Sequence, residues 1–258
     1  MDADFWIVLG VALTAGLSSP LGGFLATRIK ASSLWLSLVA GLAAGILLGT
    51  LSLEMIPTAL EDLDAWLVIV AVIIGIAATY GLDFAVNRGR MAGDKADQKP
   101  AVDRYHRRHK PWGTQVTVLA AATASEELIE GLSIGVGLAI SLSTAIVVGI
   151  AITVDNIAEA LSLGALARDE DDDTANRRTL LWTIIVGVSL IASALLGYFF
   201  LRDLPEEVLA FLLAVGAGAM LYLSTTQLLP EAEEKQFQQS AGLSIGLGFL
   251  IALALSQI

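Results

Sequence analysis

The sequence predicts an all-α polytopic membrane protein, and three observations predict it. The 258 residues are 55% hydrophobic and 16% charged, against roughly 25% charged in a soluble domain. The apolar residues come in eight blocks, each of about 20 residues, the length that crosses the hydrocarbon layer as a helix. Fourteen of the fifteen Lys and Arg fall in alternate gaps between blocks, the asymmetry that basic loops show across a membrane.

The blocks run, to within several residues, over 5–27, 34–60, 66–86, 114–140, 144–167, 179–201, 206–229 and 240–258. The first begins at Phe5; the M-D-A-D before it lacks the basic stretch of a signal peptide, so it reads as part of the mature chain. Arg28 and Lys30 close it. The second block carries a lone acid, Glu54, and Pro57, which can bend the helix and free backbone carbonyls. After the third comes the only long polar loop, 87–113, interrupted by Pro100 and Pro111 and expected to be poorly ordered. Its eight basic residues place it in the cytoplasm. The fourth and fifth blocks are separated by 141–143 alone, which predicts an antiparallel hairpin. Arg168, Arg177 and Arg178 precede the sixth block, and Lys235 follows the seventh. Only Arg202 lies on the opposite side, so both termini are expected to be extracytoplasmic. The whole chain, 1–258, reads as one transmembrane domain in the plasma (inner) membrane.

Composition narrows the function classes. The absence of cysteine excludes disulfides, thiolate ligands and a haem-attachment motif. Much of the net charge of −11 lies in acids inside the blocks and in short loop runs, and it points to no nucleic-acid partner.

Two internal echoes organise the chain. In the hairpin, T-A-S-E-E-L-I-E-G-L-S overlays I-T-V-D-N-I-A-E-A-L-S, so that Glu126 meets Asp155, Glu130 meets Glu159, and Ser133 meets Ser162. The second block ends G-I-L-L-G-T-L-S-L-E-M-I-P-T-A and the seventh G-A-M-L-Y-L-S-T-T-Q-L-L-P-E-A, pairing Gly45 with Gly218, Pro57 with Pro230 and Glu54 with Gln227. The alternating topology makes these partners run in opposite directions. That predicts an inverted repeat, helices 1–3 against 6–8, around the hairpin of helices 4 and 5. Such repeats carry a midplane site in many secondary transporters.

The hairpin holds the candidate site. Each helix has two carboxylates at i and i+4, on one face and one turn apart. A charge inside the bilayer costs at least about 2.5 kcal/mol. Glu126, Glu130, Asp155 and Glu159 can converge, Asn156 adds a neutral oxygen, and Glu127 lies about 100° round from Glu126. Crowded carboxylates cannot all ionise unless something positive sits between them. No Lys or Arg stands inside a block, which leaves bound metal together with some protons. Every candidate ligand is an oxygen, the set that suits Mg²⁺, Ca²⁺ and Mn²⁺ ahead of Fe²⁺, Co²⁺ and Zn²⁺. The bland alternative is an acid cluster that only fixes helix packing. His106 and His109, and the run 169–173, read first as solvated loop residues.

The pair E-E-L-I-E-G and D-N-I-A-E-A resembles the paired H-N-x-P-E-G motifs of the ZIP (zinc- and iron-regulated-transporter-like) family. T-T-Q-L-L-P-E-A and L-E-M-I-P-T-A are similar to further segments of that family, as are the eight spans and the long loop after the third. The resemblance implies a two-helix metal site near the midplane. Glu126 and Asp155 stand where the family has histidine, Glu127 stands where it has the first asparagine, and Asn156 keeps the second. Glu130 and Glu159 keep the glutamates, Ile129 and Ala158 replace the prolines, and Ala160 replaces the second glycine. Where members often carry an acid in span six there is Ser193, and Gln227 occupies an acid position in span seven.

The function expected is therefore transport of divalent cations (Mn, Zn, Fe, Mg or Ca), with hard ions such as manganese favoured over zinc and no covalent chemistry. Ligation falls to Glu126, Glu127, Glu130, Asp155, Asn156 and Glu159, with Glu54 and Gln227 as further candidates. A non-transporting metal sensor and a membrane-embedded carboxylate metalloenzyme are the alternatives; the latter usually carries Glu-x-x-His motifs, and none occurs here. The partners expected are divalent metal ions and the lipid bilayer, with a homodimer as an admissible assembly.

Overall fold

The computed structural model describes residues 3–29, 31–86, 115–170, 174–233 and 237–257. The loop 87–113 with His106 and His109, the acids 171–173 and Lys235 lie outside the described residues.

The described residues form eight long helices: α1 (Ala3–Arg28), α2 (Ser33–Thr50, continuing through Leu51–Met55 and Ile56–Asp62), α3 (Ala65–Val86), α4 (Gln115–Ile140), α5 (Leu142–Glu170), α6 (Ala175–Leu201), α7 (Glu206–Leu223, continuing through Ser224–Leu228 and Leu229–Glu233) and α8 (Gln238–Leu255). Seven are long and apolar enough to cross a membrane. In α4 every 18-residue stretch includes Glu126, Glu127 and Glu130. The chain is an all-α integral membrane protein whose outer surface is apolar, with Ile69 and Ile73 of α3, Ile184 and Val188 of α6, and Leu243, Leu247 and Leu250 of α8 exposed.

Local chemistry sets the ends. Ser32 caps α2, its side chain accepting from the Trp35 amide. Pro205 precedes α7, and Glu206 and Glu207 sit in its first turn, where the helix dipole favours negative charge. The turn expected over 141–143 shrinks to Ser141, because its hydroxyl accepts from the Thr144 amide at 3.0 Å and lets α5 begin at Leu142.

The bends expected at Pro57 and Pro230 take a particular form. Each proline follows a single π-helical turn, Leu51–Met55 and Ser224–Leu228. Proline offers no N–H to the preceding turn and its ring crowds the carbonyl four residues back; widening the helix locally accommodates both. Pro20 also lies inside α1. It cannot donate to the Gly16 carbonyl, and that carbonyl packs against Gly187 of α6.

The inverted repeat holds in the packing. α1 packs on α5 and α6 on α4; α2 packs on α8 and α7 on α3; α2 meets α5 and α7 meets α4. Exchanging α1 with α6, α2 with α7, α3 with α8 and α4 with α5 returns the same set of neighbours. The glycines show it residue by residue. Gly45 lies against the Ile245 carbonyl, and Gly218 against the Val72 carbonyl. Gly248 lies against the Leu42 carbonyl, and Gly75 against that of Val215. In all four a side chain would strike backbone, so only glycine permits this approach.

Around the hairpin the small residues trade places. Gly131 of α4 faces Ser193 of α6, whereas Ala160 of α5 faces Gly22 of α1. The glycine missing at position 160 is thus supplied by the opposite helix. Two groups result, α1–α4–α5–α6 and α2–α3–α7–α8. The core between them is built from buried side chains such as Leu47, Met55, Ile134, Ile152, Leu190 and Met220.

Candidate functional site

Helices α4 and α5 bring the six hairpin residues together in the protein interior. Glu126, Glu127, Glu130, Asp155 and Asn156 are buried, and Glu159 is half-buried. The charges sense one another across the hairpin: Glu127 lies within electrostatic reach of Glu159 and Asp155, and Glu130 within reach of Glu127, Asp155 and Glu126. Glu159 in turn faces Asp155, Glu126 and Glu130. Glu127, set apart by the helical wheel, is only 1% exposed and hydrogen-bonds to Asn156, so it belongs to the same group. The Asn156 amide also donates to the Ala15 carbonyl at 3.0 Å, fastening α5 to α1.

Six buried side-chain oxygens among the described residues have no hydrogen-bond partner; two are the hydroxyls of Thr50 and Ser224, and four belong to this group: Glu126 Oε2, Glu127 Oε2, Asp155 Oδ1 and Asn156 Oδ1. Buried oxygens are almost always satisfied, and these four come from both helices. As the side chains stand, no three acids or histidines among the described residues form a ready-made metal shell. The arrangement is a set of oxygen ligands that side-chain rotation could draw around a hard cation.

The two outlying candidates separate. Gln227, on the π-turn of α7, donates its amide to Glu126 Oε1 at 2.6 Å and so touches the group. Glu54, on the π-turn of α2, is buried and accepts from the Thr144 hydroxyl at 2.8 Å. It reaches the hairpin near its turn, where Thr144 also pairs with Ser141. Thr144 and Asp155 are 11 residues apart on α5, about 16 Å along a helix. Ser193, on α6, spends its hydroxyl on the carbonyls of Glu127 and Leu190, both at 3.0 Å.

Two acids adjoin the group that the sequence reading did not single out. Asp83 of α3 accepts from the Tyr222 hydroxyl at 2.7 Å and lies within electrostatic reach of Glu126. Glu231 of α7 accepts from the Ser162 hydroxyl and faces Asp155 and Glu159. Glu231 had a signal, since it stands four residues after Gln227, the same one-turn spacing that identifies the hairpin acids. Asp83, near the end of an apolar block, has no such partner in its own segment.

The family described as ZIP Zinc transporter matches residues 93–254. The chain is 27% identical over 249 residues to the zinc transporter ZupT of Chlorobium luteolum, with 90% of each chain covered. It is 27% identical over 234 residues to the zinc transporter ZupT of Corynebacterium glutamicum, covering 86% of this chain and 88% of that one. Against the zinc transporter ZupT of Salmonella paratyphi A it is 29% identical over 234 residues, covering 88% and 87%.

Proposed function

Because the chain belongs to the ZIP zinc transporter family, we propose that it carries divalent metal cations across the inner membrane, with the α4–α5 carboxylates as the site of passage. The observation that supports this most is the set of four unpartnered buried oxygens contributed by both helices. A cation entering among them recovers, from Glu126, Glu127, Glu130, Asp155, Asn156 and Glu159, the oxygen contacts it loses with its water shell. Gln227 orients Glu126 from the side, and Glu54 is an outer acid on the way in. Protons bound by the crowded carboxylates are released as metal binds, so uptake should weaken as the medium becomes acidic.

The finer reading concerns selectivity. The relatives named above are zinc transporters, but this site offers carboxylates at Glu126 and Asp155 and has no imidazole among the described residues. Carboxylate ligands suit hard ions, so Mn²⁺, and with it Mg²⁺ or Ca²⁺, should be handled at least as well as Zn²⁺. The basic residues support an orientation with both termini extracytoplasmic and 87–113 in the cytoplasm, within a single transport domain spanning the whole chain. Transport then proceeds by alternating access, one group of helices moving against the other.

The test is uptake by proteoliposomes supplied with Mn²⁺ and Zn²⁺ in competition. Wild type should take up Mn²⁺ at least as fast as Zn²⁺, Glu130→Gln and Glu159→Gln should each abolish uptake, and Glu126→His combined with Asp155→His should restore a preference for Zn²⁺. Wild-type flux in both glutamine variants would remove the site. A strong wild-type preference for Zn²⁺ would remove the selectivity argument alone, and an absence of flux would favour a sensor.

A further inference from the structure

Among the described residues, Glu54 is the one buried charged side chain outside the hairpin group. Its partner is the first turn of α5. The Thr144 hydroxyl donates to Glu54 Oε1 at 2.8 Å, the Ser141 and Thr144 hydroxyls pair at 2.8 Å, and the Thr144 amide donates to Ser141 Oγ at 3.0 Å. A hydroxyl has one proton. Thr144 gives its proton to Glu54, so Ser141 is the donor to Thr144, and the chain of bonds points at the carboxylate. Helix α5 begins at Leu142, so Glu54 faces the positive end of a 29-residue helix. That end favours an anion and disfavours a cation beside it. The contact therefore reads as a tie between helices ahead of an ion site.

The tie joins the two groups, since Glu54 belongs to α2 and Thr144 to α5. Beside it, Met55 of α2 and Met220 of α7 share one buried apolar cluster with Ile134 of α4 and Ile152 of α5. Thr50 offers the same carboxylate a second place. Its hydroxyl is fully buried, has no hydrogen-bond partner and stands four residues before Glu54, one turn away on the same face of α2. Buried hydroxyls without partners are uncommon. This one is a donor that Glu54 can take up on leaving Thr144.

We propose that Glu54 is a latch with two positions. On Thr144 it holds the hairpin-turn end of the pathway shut; on Thr50 it lets α2 part from α5 and opens that end, which the proposed topology places outside. The exchange of one threonine hydroxyl for another leaves the carboxylate bonded in both positions. The resistance to opening then lies in the apolar cluster. Gln227, the counterpart of Glu54 in the repeat, attends Glu126, whereas Glu54 controls access.

The latch rests on the transport reading, and the experiment keeps the two apart. The chain has no cysteine, so Ile134→Cys, at a fully buried position of the apolar cluster, supplies a single reporter thiol. Its labelling by a water-soluble maleimide is timed on purified full-length protein in detergent micelles, where both faces meet the reagent. The rate follows the population of the open state. Thr144→Val removes a hydrogen bond to a charged group and should raise the rate about tenfold, whereas Thr144→Ser should stay within about twofold of the parent. Adding Glu54→Ala to Thr144→Val should raise it no further. Thr50→Val removes the second position and should slow labelling severalfold. Ala120→Cys, buried in the separate cluster of Leu163, Ala167 and Ala175, reports general unfolding and should label at one rate in every background. A parental rate at position 134 in Thr144→Val overturns the latch, as does equal acceleration at position 120 or an additive effect of Glu54→Ala. A parental rate in Thr50→Val removes the second position. Mn²⁺ flux in proteoliposomes with unchanged labelling would remove the latch and leave transport standing; the expected labelling without flux would do the reverse.

Discussion

Contacts inside each group of four helices and contacts between the groups obey different rules. Within α2–α3–α7–α8, the approach of Gly45 to Ile245 repeats as Gly218 to Val72, with both partners displaced by the same number of residues. Within α1–α4–α5–α6, the seam of Gly131 and Ser193 repeats as Ala160 and Gly22. Between the groups the helix pairs repeat but the polar contacts do not. The counterpart of Gln227 against Glu126 would be Glu54 against Asp155, yet Glu54 binds Thr144, about 16 Å away along α5. Backbone packed on glycine fixes a register, because a sliding helix would drive side chains into carbonyls. Polar side chains bonding across the seam between the groups fix one register among several. The asymmetry thus lies at the seam where the proposed alternating access would move.

The largest expected effect tests the rigid half of this contrast. Gly45→Leu and Gly218→Leu each place a branched side chain on a neighbouring carbonyl, and overpacking of that kind costs about 1–3 kcal/mol or more. Both should lower the yield of folded protein to a similar degree, measured as the monodisperse fraction after extraction and its thermal midpoint. A large loss in one and none in the other would break the repeat as an energetic fact.

The mobile half is tested by distance. Spin labels at Glu61 on α2 and Leu142 on α5 report the register between the groups. If the groups slide until Glu54 reaches Asp155, the separation should change by up to about 16 Å when metal is added or removed. A single narrow distance under every condition would mean that the two halves are asymmetric but fixed.

The smallest effect separates the two π-turns. Gln227→Leu removes the donor from Glu126 Oε1, and a buried acceptor left unsatisfied costs about 1–3 kcal/mol. Equilibrium Mn²⁺ binding should therefore shift by about tenfold. Thr144→Val does the same to Glu54, far from the hairpin acids, and should leave equilibrium binding unchanged. Equal effects on binding would place Glu54 in the same site as Glu126.

Much of this was legible in the sequence because membrane helices announce themselves by length and apolarity. The eight spans, the hairpin and the repeat were all anticipated from the order of apolar blocks and from pairs such as Gly45 and Gly218. Glu126, Glu130, Asp155 and Glu159 follow from their one-turn spacing, whereas Glu127, which the helical wheel sets apart, joins Asn156 in the group only in the folded chain. The π-turns were not, since widening one turn depends on how a proline-freed carbonyl is accommodated in three dimensions. Ala160 looked like a lost glycine, because a linear reading cannot see Gly22 across the seam. Glu54 and Gln227 occupy equivalent places in the repeat, but only the structure distinguishes the one beside Glu126 from the one beside Thr144. Glu231 is marked in the sequence only by its one-turn spacing from Gln227, while its partners Ser162, Asp155 and Glu159 belong to another helix.

The seam between α1 and α5 has room for one methyl group at the level of Ala160 and Gly22. Packing favours α5, since a methyl on residue 22 would lie 3.2 Å from the Ile157 Cα even without Ala160's. Gly22→Ala alone forces two methyl groups into one space, whereas Gly22→Ala together with Ala160→Gly moves the same methyl across the gap. The two positions are therefore coupled, and Gly22→Ala should be better tolerated where Ala160→Gly has first made the space.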